Sequence, residues 1–144
     1  MSPTITLSLL VFHGSPIDFI KYRHAVLLVT YPDNQPSMFH ITGNPGNFKF
    51  VEVTGANPTQ SAKLERNILV SKVSDPSISK ESIRDACARV KVRNDVLGWN
   101  CQNWVGEALS ELVALGCCSE KERGDAVDGM VDACAEARDE RFAV

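Results

Sequence analysis

The sequence predicts an α+β fold, a mainly antiparallel sheet of about five strands with helices packed on it. Three observations carry that expectation. Up to Val73 the apolar residues come in short runs or alternate with polar ones, and Pro, Gly and Asn clusters separate them. After Asp75-Pro76-Ser77 the apolar spacing lengthens to three and four, the period of a helix face. The chain has 144 residues, 44% of them apolar and 23% charged, which suits one domain with a real core. The same figures exclude disordered, collagenous and coiled-coil chains.

The strands follow in order. Ile5 to Phe12 is apolar and β-competent, and Gly14-Ser15-Pro16 ends it. His24 to Tyr31 is a nearly continuous apolar run, as a central strand buried on both faces should be. Pro32-Asp33-Asn34 turns the chain into Ser37 to Thr42, a hairpin partner. Phe48 to Thr54 alternates as a half-exposed strand does, and Arg66 to Val73 is the fifth.

Three helices follow. Ser79 caps the first, expected through about Val92, with Ile83, Ala86, Cys87 and Val90 on one face. The second runs from Cys101 to Leu115, with Trp104, Val105, Ala108, Leu109, Leu112 and Val113 as its stripe and Gly116 as its stop. The third starts after Ser119, whose pairing with Glu122 is a capping box, and is expected to continue toward Arg141. Its stripe is thin: Ala126, Val127, Met130, Val131 and Cys134. The core is therefore expected over about residues 5–116 of a single domain, residues 1–144. The helix of about residues 120–141 reads as an appendage, packed loosely or offered to a second copy or a partner protein.

Charge and cysteine usage narrow the function classes. The net charge is −3 and the pI about 5.6, so no basic field is available to hold nucleic acid. The apolar runs, such as Leu9 to Phe12, are too short to span a bilayer, and no secretory signal is read at the start. The five cysteines are too sparse for a disulfide scaffold and leave one over in any pairing. A reducing, cytoplasmic setting with free thiols is expected. Cys117-Cys118 lacks zinc-ligand spacing, and a vicinal disulfide there would be strained. No metal and no cofactor is expected.

Cys101 has the most telling setting. Asn100 is a good N-cap and places Cys101 at the first helical position. Free N–H groups and positive potential there favour a thiolate and can hold an oxyanion. The plain alternative is a small cysteine that packs. Cys87 and Cys134 lie on apolar stripes and read as core. A nucleophilic thiol also needs a base. His24 opens the central strand, where an imidazole can face a helix start laid across the sheet. His40 lies on the next strand and can stand beside His24 as its orienter. The alternative for His40 is a half-buried strand histidine bonded to backbone. His13, beside the turn-forming Gly14-Ser15-Pro16, reads as a surface residue.

A histidine opening an early strand, a second on the following strand, and Asn100-Cys101-Gln102-Asn103-Trp104-Val105 opening a late helix form a pattern. It resembles the circularly permuted papain-like cysteine enzymes. That group includes the lecithin:retinol acyltransferase-like acyltransferases, the PPPDE-type isopeptidases and, more distantly, the NlpC/P60 peptidases. The resemblance covers roughly residues 5–116. It implies that Cys101 is the nucleophile, His24 the base and His40 the third member. It places the oxyanion at the Cys101 N–H, beside Asn100 and Gln102. Asn103 departs from the pattern, because both near branches usually have histidine there. The expected activity is acyl transfer from a peptide, amide or other acyl substrate through an acyl-enzyme, as a hydrolase or an acyltransferase. A non-catalytic binding module on the same fold is the alternative.

Overall fold

The computed structural model describes residues 3–14, 18, 22–32 and 35–137. Among the described residues there are five strands: β1 Ile5–Phe12, β2 His24–Thr30, β3 Ser37–Thr42, β4 Lys49–Thr54 and β5 Leu64–Val73. A 3-10 turn at Pro58–Gln60 precedes β5. They form one antiparallel sheet in the order β4-β3-β2-β1-β5. The run that looked central is central, and residues 25–29 of β2 are buried on both sides.

Two bulges interrupt β5. One leaves Val70 outside the ladder with β1, between the pairs Leu7↔Ser71 and Ser8↔Leu69. The other lies between Val11↔Arg66 and Phe12↔Leu64 and leaves Glu65 outside it. A bulge re-aims the extra side chain, and the Glu65 carboxylate turns toward His13 and Arg23.

Three helices cover one face: α1 Lys80–Ala88, α2 Cys101–Leu115 and α3 Glu120–Ala135. Alternation along the strands sorts the side chains into two sets. Leu7, Leu9, Val11, Ala25, Leu27, Val29, Phe39 and Ile41 pack with the helices in the main core. Leu10, Val26 and Leu28 form a smaller cluster on the other face. Helix α2 lies on β2 and β3, and α3 lies on β5 and β1.

All three helix starts carry reciprocal capping boxes. Gly116 ends α2 in the left-handed region at φ 95°, as a Gly at that position should. Helix α1 stops at Ala88 rather than near Val92. The β-branched Val90 and Val92 are poor helix formers. Beyond them, Arg93 pairs with Glu107 and Asn94 with the backbone of Phe48.

Helix α3 is integral to the core rather than loosely packed. Ala126, Met130, Ala133 and Cys134 are buried in the main cluster. Val131, expected on its apolar stripe, is 56% exposed, and Ala133 faces inward instead. Small residues let α3 lie close to β5, where a Cβ on Gly129 would stand 3.1 Å from Ile68 Cδ1. The helix ends at Ala135 with Glu136 as its C-cap. The expected extension toward Arg141 lies outside the described residues beyond Ala137.

Candidate active site

A cavity of about 760 Å³ opens at the end of the sheet where β2 begins and β3 ends. His24, Cys101 and Asn100 line it together with His13, Phe48 and Trp99. Its walls are held by a polar frame. Asn94 grips the backbone of Phe48 twice, accepting from its N–H at 2.8 Å and donating to its carbonyl at 3.1 Å. The Trp99 ring stands edge-on to Phe48, and its Nε1 donates to Glu107 at 2.8 Å. Gly43, also at the wall, takes φ 110° at the end of β3.

The structure brings His24 and His40 together. By strand register both belong to the face opposite the helices, with His40 one position diagonal to His24. His24 Nε2 and His40 Nδ1 are hydrogen-bonded at 2.9 Å, with the rings roughly edge-to-face. The alternative of a strand histidine bonded only to backbone does not describe His40. Its Nε2 is buried without a hydrogen-bond partner among the described residues. His24 Nδ1 is neither hydrogen-bonded nor fully buried among the described residues, and the ring borders the cavity. Burial, then the neighbouring His40, lowers the His24 pKa to about 4. Burial lowers His40 as well. Both rings are therefore neutral at neutral pH.

Cys101 stands at the first position of α2, as its sequence setting implies. Its pKa, however, is raised rather than lowered. Burial of the thiol, only 7% exposed, outweighs the opposing N–H groups of Ala25, Cys101 and Gln102. A helix start stabilises a thiolate only in so far as water is not stripped from it. The thiol instead donates to the Arg23 carbonyl at 3.7 Å. Among the described residues no hydrogen bond joins Cys101 to His24.

Both residues flanking the thiol make hydrogen bonds that hold the helix start. Asn100 accepts the Gln102 N–H at 3.0 Å, and Asn103 returns the bond to the Asn100 N–H at 3.0 Å. Asn103 thus completes a capping box. Gln102 Nε2 donates to the Arg23 carbonyl at 3.2 Å.

Three residues near the site escape sequence reasoning. His13 is half-buried, lines the cavity and pairs with Glu65. Tyr22 lines it as well. Arg23 is completely buried. For His13 and Arg23 a bulge and long-range partners decide the placement, and neither is visible in local pattern. The remaining thiols, Cys87, Cys117, Cys118 and Cys134, are free and buried. Among the described residues no three His, Cys, Asp or Glu side chains cluster as metal ligands. No helix of the described residues is long and apolar enough to cross a membrane.

The chain belongs to DUF6540, a family of unknown function, whose model matches residues 11–119. No curated protein and no solved structure matches it significantly. The matched stretch contains Cys101, His24 and His40.

Proposed function

We propose that this member of the DUF6540 family is a cysteine-dependent acyl-transfer enzyme with a permuted papain-like fold, working in the cytoplasm on a peptide, amide or other acyl substrate. One observation carries the reading: the 2.9 Å bond between His24 Nε2 and His40 Nδ1, with His24 and Cys101 on one cavity. A base needs its tautomer fixed. On this reading His24 Nε2–H donates to His40 Nδ1, which leaves the lone pair on His24 Nδ1. That is the ring nitrogen without a partner, beside the cavity.

The chemistry then runs from neutral groups. The resting pair is a thiol and an imidazole, because burial holds the Cys101 pKa up and the His24 pKa down. At the sheet end, where one cavity is lined from both faces, His24 Nδ1 takes the thiol proton as Sγ attacks the carbonyl carbon. The oxyanion forms beside the Cys101 N–H at the α2 start. Its collapse breaks the bond to the leaving group, which receives the proton from His24. An acyl thioester remains on Cys101. Water, or an amine or alcohol, gives its proton to His24, attacks the thioester and regenerates the thiol.

Turnover of activated esters and peptide thioesters tests this reading. The wild type should turn over, and Cys101→Ala should not. Equal turnover by both would end it.

A second reading, a binding module on the same fold, is favoured by the Cys101 thiol bonded to the Arg23 carbonyl rather than to His24. It expects ligand binding that Cys101→Ala leaves intact, with no covalent adduct on the wild type.

A further inference from the structure

Arg23 is a fully buried guanidinium, and burying a charge is costly unless its hydrogen bonds are met. Its fork meets Asp18 twice, Nε on Oδ1 at 2.9 Å and Nη2 on Oδ2 at 2.8 Å. Glu65, aimed by the β5 bulge, lies 3.7 Å from Nη1. The rest of the fork reaches the end of α3. Nη1 donates to the Ala133 carbonyl at 2.8 Å, and Nη2 donates to the Glu136 carbonyl at 3.1 Å. The Ala133 carbonyl also accepts the Glu136 N–H at 3.3 Å, and its second lone pair, like the Glu136 carbonyl, sits at the negative end of the helix dipole, so a cation there is well matched.

The backbone of the same residue faces the site. The Arg23 carbonyl accepts from the Cys101 thiol at 3.7 Å and from Gln102 Nε2 at 3.2 Å. The next residue is His24. One residue therefore joins the nucleophile's seat, the base's strand and the end of α3. Helix α3 lies beyond residues 11–119, the stretch that the family model matches.

We propose that Arg23 is a positioning residue, which anchors the Cys101/His24 site to the C-terminal turn of α3 through Asp18, Ala133 and Glu136. The proposal rests on the acyl-transfer reading of that site. Without its anchor, the Arg23 carbonyl shifts away from the thiol. Cys101 then becomes more accessible while its alignment with His24 is lost. Thiol access and turnover should therefore move in opposite directions.

The test uses the full chain. Iodoacetamide labelling of each cysteine is mapped by mass spectrometry, beside ester turnover. Arg23→Met should label Cys101 about tenfold faster, because the thiol loses its carbonyl partner and gains water, and should turn over more slowly. Cys87, buried on α1, should keep its wild-type rate. Arg23→Lys, which keeps the charge without the planar fork, should fall between the two. An unchanged Cys101 rate overturns the proposal. An equal rise at Cys87 and Cys101, which signals general loosening, overturns it as well. Should Arg23→Met fail to fold, Asp18→Asn replaces it, with at least about a twofold rise expected at Cys101 alone. A wild type that neither labels preferentially at Cys101 nor turns over defeats the acyl-transfer reading. The comparison between wild type and variant still decides whether Arg23 holds the thiol.

Discussion

His24 Nε2 and His40 Nδ1 share a hydrogen bond of 2.9 Å across neighbouring strands, at the edge of the cavity that Cys101 also lines. The bond fixes the His24 ring, so its loss should misdirect the base without emptying the site. His40→Ala is expected to lower kcat/KM by about a hundredfold. His40→Asn, whose amide can stand in for Nδ1, should recover part of that loss. Initial rates on one ester substrate check both.

The same pair makes stability depend on pH. Burial and its neighbour hold His24 at about 4, below the 6.5 of an ordinary histidine. Between those values the unfolded chain binds more protons, so stability rises with pH. It is complete above about 6.5 and is lost as pH falls toward about 4, by on the order of 3 kcal/mol. The lowered His40 adds to the loss in the same direction. Urea midpoints should fall between about pH 7 and about pH 5, and His24→Asn should flatten that slope. A flat wild-type profile would mean that the rings are not buried neutral.

Asn100 and Asn103 cap α2 reciprocally, so the cap also sets where Cys101 sits. Asn100→Ala should cost about 1 kcal/mol in stability, read from the urea midpoint. It should also reduce turnover by more than that loss explains, because the helix start at Cys101 frays.

Gly43 shapes the cavity wall with φ 110°, and a Cβ there would stand 2.7 Å from the Asn47 carbonyl oxygen. Backbone on the far side cannot give way as a flexible side chain would. Gly43→Ala should destabilise by at least about 1 kcal/mol, seen as a lower Tm.

These expectations mark which parts of the molecule were legible in the sequence. Strand alternation, the caps at Ser79, Asn100 and Ser119, and the Gly116 stop are local signals, and the elements follow them. The pairing of His24 with His40 was legible because adjacent strands bring their residues side by side. The stripe of α3 was misread at Val131, because which side of a short-residue helix faces inward depends on what it lies against. Arg23 and His13 were missed for a related reason. Their partners Ala133 and Glu65 are distant in sequence, and a bulge aims Glu65. The direction of the Cys101 pKa was misjudged because a helix start is visible in sequence and the burial of its first residue is not.

The central claim is that Cys101 attacks an acyl carbonyl with His24 as base. Intact-mass analysis after exposure to an activated acyl ester tests it most directly. The account expects one acyl group, mapped to Cys101, absent from Cys101→Ala and formed far more slowly by His24→Ala. Acylation spread evenly over the five cysteines, or a His24→Ala variant acylated at the wild-type rate, would contradict it.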